Sequence, residues 1–282
     1  MTNKPHYNPC FWTAFWNTDY LNNFRHQKNV GVKAREVLVK ALSLKNLKIR
    51  TDKTANLFIE RNGGIAELNE SEVLDYCLRY FPEHYSKVTD YYRTNTGLLL
   101  LNIENKYTGI ENSVKDSLEQ VIKIRKIPDI KSKTEISIFI YLQKTRNIYY
   151  QKKQKENFEN NGLAKFERLL HFINIYTDRD ELMSSIIDIL SSKWTLYRYK
   201  KPSLILGDKP IIEDHKYLWI AIAPDLLLKI DLSVKVPVEF RTIHKSMFNK
   251  KEMIKYNRLT YETSENSIIG TSEKQLIKIS GT

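Results

Sequence analysis

Residues 194–213 limit the possible folds of this chain more than any other stretch. They read Trp194-Thr-Leu-Tyr-Arg-Tyr-Lys-Lys-Pro202-Ser-Leu-Ile-Leu-Gly-Asp208-Lys-Pro210-Ile-Ile-Glu213. Two runs of aliphatic and aromatic residues flank Lys200-Lys201-Pro202-Ser203, the pattern of a hairpin. Leu204 to Leu206 is wholly apolar, so that strand is expected to be buried on both faces. Gly207-Asp208-Lys209-Pro210 ends it: glycine opens backbone angles closed to other residues, and proline fixes φ and removes a donor. The Asp208 carboxylate is therefore expected at the tip of a buried strand, on a stiff turn.

A length of 282 residues allows one large domain or two small ones. No apolar run approaches the ~20 residues needed to cross a bilayer, so no membrane partner is expected. The opening Met-Thr-Asn-Lys-Pro-His-Tyr has no apolar signal core, and the two cysteines, Cys10 and Cys77, have no metal-ligand spacing. Both features imply a cytoplasmic protein with free thiols. A net charge of +12 implies a polyanionic partner, most simply nucleic acid.

Two prolines followed by four aromatics in residues 5–16 predict an ordered leader packed on the core. Residues 17–31 are polar and read as loop. A strand is expected over residues 35–44, with Leu57-Phe58-Ile59-Glu60 as its partner and Gly63-Gly64 as a turn. Helices then take over. One is capped at Asn69 and ended by Pro82, one spans about 108–125, and a long one spans about 132–160. Two more are expected around Phe166 to Ile173 and Leu182 to Leu190. Residues 218–231 read as a hairpin turning at Pro224-Asp225. A last helix is expected over 250–261 and a final strand near Ile268. The economical reading is one α+β domain over 1–282: an antiparallel sheet of N- and C-terminal strands (1–64 and 193–282) with a helical middle, a bundle over 65–192, packed on it.

Three polar residues interrupt otherwise apolar helical stripes. Glu111 follows Tyr107 and precedes Val114 and Leu118, while Gln143 and Arg146 stand one turn apart beyond Ile136, Phe139 and Ile140. A buried unpaired charge is costly, so Glu111 and Arg146 need partners, each other or Asp208. They form either a structural ion pair or, with His6 and Asp208, a polar pocket. Phosphate-binding glycine loops, HExxH, GxSxG and paired CxxC motifs are absent. Lys152, Lys153, Arg198, Lys200 and Lys201, interleaved with Tyr149 and Tyr197, suit single-stranded nucleic acid, because tyrosine faces stack on any base. They equally suit a solvated helix end and an edge strand.

Several pieces, in this order, resemble a bacterial family, the domain of unknown function 4238, associated with phage defence. They are His6-Tyr7-Asn8-Pro9-Cys10-Phe11, Ile110-Glu111, Gln143-Lys144-Thr145-Arg146 and Gly207-Asp208-Lys209-Pro210. The Ala223-Pro224-Asp225-Leu226 region and the helix after His244 are also similar to that family's C-terminal third. Cys10 stands where the family has glutamine, Thr13-Ala14 where it has Leu-Arg, and Gly207 where it has serine. The resemblance implies a defence protein and groups His6, Glu111, Gln143, Arg146 and Asp208 as one site.

Two functions are compatible with these features. One is a defence or toxin-type effector acting on nucleic acid, a nuclease or phosphodiester hydrolase. In it His6 is general acid/base, Asp208 and Glu111 hold a divalent cation or orient water, and Arg146 stabilises phosphate charge. The other is a non-catalytic module that recognises RNA, DNA or a phage protein, alone, as a homo-oligomer or with a defence-system partner.

Overall fold

The computed structural model describes residues 6, 8–27, 31–59, 65–80, 82, 98–146, 179–237, 242–246 and 250–281, and helical positions 152, 153, 156, 157 and 160. The leader forms helix α1 (Cys10–Thr13), a 3-10 turn (Ala14–Trp16) and helix α2 (Thr18–Arg25). Strands β1 (Leu38–Ser43), β2 (Ile49–Lys53) and β3 (Ile65–Asn69), helix α3 (Glu70–Tyr80) and strand β4 (Leu98–Asn102) follow. Three helices come next: α4 (Ile103–Ile124), α5 (Ile130–Arg146) and α6 (Arg179–Leu190). The C-terminal third runs through β5 (Ser192–Arg198), β6 (Leu206–Gly207), β7 (Ile211–Glu213), β8 (Tyr217–Ala223), β9 (Leu226–Lys235) and β10 (Ile243–Ser246). It ends with α7 (Lys251–Thr263), β11 (Ser267–Gly270) and α8 (Glu273–Ser280).

The class is α+β, with the strands in more than one sheet. A four-stranded antiparallel sheet, β2-β1-β11-β6, joins N- and C-terminal strands, as expected. A five-stranded sheet, β10-β5-β9-β8-β7, is wholly C-terminal, and its β10 runs parallel to β5 with Ile243 opposite Thr195. A two-stranded ribbon pairs β3 with β4.

The hairpin expected over 194–213 does not form. β5 lies between β9 and β10, whereas β6 pairs with β11 in the other sheet. Residues 199–205 are a crossover, fixed where the Tyr199 amide donates to the Asp225 carbonyl and the Ser203 and Leu204 amides donate to the Pro224 carbonyl. Leu204, Ile205 and Leu206 are fully buried, as their apolar run requires. The hairpin over β8 and β9 does form, turning at Pro224-Asp225.

Other differences have local causes. The polar segment after Asn17 is a helix, because Asn17 caps it by accepting from the Tyr20 amide at 2.9 Å and Leu21 is buried beneath it. The partners of β1 are β11 and the polar β2, with Lys40 opposite Thr51, rather than residues 57–59; an exposed edge strand carries no apolar signal. The sequence reading missed α8, which is capped by Ser272 and ended by Gly281 in the left-handed conformation (φ 72°). The glycine turn at 63–64, the helix around Phe166 and residues 147–151 of the long helix lie outside the described residues.

One contiguous core reaches from Trp12 through Val73, Val121, Phe139 and Trp194 to Ile269. A smaller cluster of Leu42, Ile205, Ile268 and Leu276 lies under α8. The leader straps the two sheets together. Trp12 Nε1 donates to the Ile222 carbonyl of β8, and Trp16 Nε1 to the Leu204 carbonyl just before β6, both at 3.0 Å. Among the described residues no helix is long and apolar enough to cross a membrane.

Candidate functional site

His6 is placed by the leader and held from the opposite side by residues 54–59. It makes an isolated antiparallel bridge with Ile59, and its Nδ1 lies 3.1 Å from the Leu57 carbonyl. A carbonyl only accepts, so Nδ1 carries the proton and Nε2 is the basic nitrogen. Between these two contacts Phe58 is held at φ 54°, a strained conformation for a buried aromatic residue.

Cys10, at the start of α1, faces the same ring. Its Sγ lies 3.7 Å from Nε2 and 3.8 Å from Nδ1. Pro9 starts the helix, its carbonyl accepting from the Trp12 and Thr13 amides, and this holds Cys10 one turn beyond His6. Burial lowers the imidazole pKa, the Leu57 bond opposing; Arg146 and Arg35 lower it further. Burial raises the Cys10 thiol, with Thr54 and Arg35 opposing and Glu111 adding to the rise. At neutral pH the pair is a neutral imidazole beside a protonated thiol, so the ring is available as a base.

Glu111 and Arg146 pair with each other across α4 and α5, Nη1 to Oε1. Arg146 is 4% exposed and Gln143 1%. Burial raises Glu111, the Arg146 guanidinium opposing. The leader packs on α5 through Trp12 edge-on to Phe139, ring centroids 5.1 Å apart, and Arg146 acts electrostatically on His6 and Glu111 on Cys10. The Gln143 side-chain oxygen is buried with no hydrogen-bond partner among the described residues. Such an atom costs stability unless something donates to it.

Asp208 is not part of this cluster. Its carboxylate accepts from three backbone amides, Glu265 (3.0 Å), Asn266 (2.6 Å) and Ser267 (3.3 Å), and so fixes the turn between α7 and β11. Only the neighbouring carbonyl reaches the leader: Asn8 Nδ2 donates to Gly207 O at 2.8 Å. The expected meeting of His6 with Asp208 is thus replaced by a meeting of the segments that carry them. Glu111 and Asp208, expected to hold a divalent cation together, are engaged separately. Among the described residues no three His, Cys, Asp or Glu side chains are grouped to hold a metal ion. Gly207 is a close-packing position: a Cβ there would lie 2.0 Å from Ser264 Oγ.

The basic, tyrosine-bearing set is divided by strand alternation. Tyr197 is 8% exposed, and Tyr199, two residues on, is 4% exposed, so neither ring offers a free face to a base. Arg198 points the other way and is half-buried; Lys200 and Lys201 are exposed. Lys152 and Lys153 are exposed helical positions, and Lys152 pairs with Glu265. Tyr149 lies outside the described residues.

Reading the sequence missed the roles of Cys10 and Leu57. The spacing of His6 and Cys10 by four residues was a visible signal for the first; a backbone carbonyl leaves no signal at all. No family model matches the chain, and comparison with curated proteins and with solved structures finds no match.

Proposed function

We propose that this protein is an effector that cleaves phosphodiester bonds in nucleic acid, of the kind used in bacterial antiphage defence. The observation that carries the reading is the His6 cluster. A neutral imidazole is oriented through Nδ1 by a backbone carbonyl, with its basic Nε2 beside a thiol and a guanidinium acting on it from the core. An oriented, neutral imidazole serves as a general base, and the guanidinium stabilises charge developing on phosphate oxygens. Gln143 supplies a further polar atom, and the strained Phe58 backbone marks a place where structure is held against local preference. The charge of +12 favours a polyanionic substrate.

In this reading His6 Nε2 takes the proton from the attacking hydroxyl or water as the new P–O bond forms; the P–O bond to the leaving nucleotide breaks, and its oxygen takes a proton from solvent. Arg146, kept in place by Glu111, compensates the phosphate. Cys10 donates weakly to the ring and Leu57 fixes the tautomer. Asp208 has no chemical role; it holds the turn before β11.

The test is incubation of labelled single- and double-stranded RNA and DNA with the wild-type protein and with His6→Gln. The wild type should cleave at least one substrate, and the variant should lose about 10²-fold or more, the usual share of a positioned base. Inert wild type on all four substrates, or equal rates in both proteins, rejects the proposal.

A second reading is favoured by a separate observation. Arg146 and Glu111 satisfy one another, and Asp208 is fully engaged by backbone, as in a structural network. The protein would then bind nucleic acid or a phage protein without cleaving it.

A further inference from the structure

A cationic centre lies at the end of the five-stranded sheet, where the β8–β9 turn, the end of β5, β10 and the C-terminus of α4 meet. Asp225 is its hub. Arg25 grips that carboxylate with both terminal nitrogens, at 2.9 and 2.8 Å, and Arg125 Nη2 reaches it at 3.1 Å. Two guanidiniums thus share one carboxylate. Asp225 is the one acid acting on Arg125 among the described residues, whereas Arg25 and Arg198 both repel it. The negative end of α4 amounts to roughly half a charge and does not restore neutrality.

The arrangement is built rather than incidental. Arg125 sits just past α4 at φ 56°, a left-handed conformation that non-glycine residues rarely adopt. Its amide closes the helix on Val121 O at 2.8 Å, and its Nη2 donates to the Tyr199 carbonyl at 2.6 Å. The guanidinium is held while the side chain as a whole remains 34% exposed, and its Nε is buried without a hydrogen-bond partner among the described residues. Beside it, His244 Nε2 accepts from the Ile127 amide at 3.1 Å, which places the ring proton on Nδ1. Arg198 and the exposed Lys126 both act on that ring.

We propose that Arg125, Lys126, Arg198 and His244, gathered on the Arg25–Asp225 pair, form a binding site for a phosphate oxyanion, supplied by the backbone of a nucleic acid. A phosphate there would meet a guanidinium edge already immobilised, which lowers the ordering cost of binding. The site stands apart from the His6 cluster and does not depend on that cluster being catalytic.

The experiment measures binding of a fluorescein-labelled 12-nucleotide single strand by anisotropy at fixed salt, with inorganic phosphate as competitor. Wild type is compared with Arg125→Gln, Arg198→Gln, Lys126→Gln and the control Lys131→Gln, an exposed lysine 3.9 Å from Glu135. Arg125→Gln and Arg198→Gln should each weaken binding by tenfold or more and Lys126→Gln about threefold. Lys131→Gln should change it by less than twofold, and phosphate should displace the strand. Circular dichroism checks folding. If Arg125→Gln unfolds, the exposed Lys126→Gln against Lys131→Gln still decides. Phosphate binding without oligonucleotide binding keeps the oxyanion site and assigns it to a free phosphate compound. No binding of either, or equal losses in Lys126→Gln and Lys131→Gln, overturns the proposal. Because this site is read by binding and the His6 reading by cleavage, loss of cleavage alone leaves this site standing.

Discussion

Residue identity decides which polar groups are structural and which are available for chemistry. Asp208 is the clearest structural case. Its three amide partners fix the turn leading into β11, and a hydrogen bond to a charged group is worth about 1.5–3 kcal/mol. Asp208→Ala should lower stability in urea unfolding by about 2–4 kcal/mol while the folded fraction keeps its activity. His6 is the opposite case. Its pKa is lowered from 6.5, so below that pH the unfolded chain binds the proton more readily than the folded one. Stability should therefore fall as the pH drops through 6.5 toward the lowered folded value, and be fully present above 6.5. His244 shifts in the same direction, so His6→Gln should remove part of this loss and leave the remainder. Unfolding midpoints measured between pH 5 and pH 8 check this. A wild-type curve that is flat over that range contradicts it.

At the scale of elements, the polar cluster depends on α4 and α5 being locked together. Arg146→Ala should destabilise by about 3–5 kcal/mol, because it leaves Glu111 buried without its partner. Glu111→Leu combined with Arg146→Met should recover most of that stability, and the double-mutant cycle measures the coupling. The leader is the second such element. Trp16 is 1% exposed and donates to Leu204 O, so Trp16→Ala should cost about 3–5 kcal/mol by the same unfolding measurement. Elements were legible in the sequence where burial leaves a period. The leader aromatics, the stripes of α4 and α5, and the wholly apolar β8 all announced themselves. The polar β2 did not, since it depends on its partner strand, and α2 and α8, eight residues each, present an apolar face too short to stand out as a repeat. Reading 194–213 as a hairpin failed for a related reason. Local turn residues cannot reveal that Pro224 and Asp225, far along the chain, capture the backbone of 199–204.

For the whole molecule, the two larger sheets are tied by the crossover and by the leader, and the chain carries a net charge of +12. If nucleic acid is the partner, log affinity should fall linearly with log salt, with a slope near −0.7 for each phosphate neutralised on a single strand. A salt-independent affinity contradicts an electrostatic partner. The composition of the site was half legible. Glu111, Gln143 and Arg146 were visible as polar breaks in apolar stripes, and His6 as an imidazole held among prolines. The exclusion of Asp208 was not, because its partners are backbone amides, which every residue carries. The burial of Tyr197 was not readable either, because Leu196 and Tyr197 are consecutive and both buried, so β5 is covered on its two faces there.

The most direct test of a catalytic His6 is the pH dependence of the cleavage rate. A base whose neutral form is favoured by burial predicts a rate that is already full at pH 7 and falls on the acid side, with an apparent pKa below 6.5. That acid limb should vanish in His6→Gln, which retains only slow, pH-insensitive cleavage. A rate independent of pH between 5 and 7, or an unchanged acid limb in His6→Gln, contradicts the assignment.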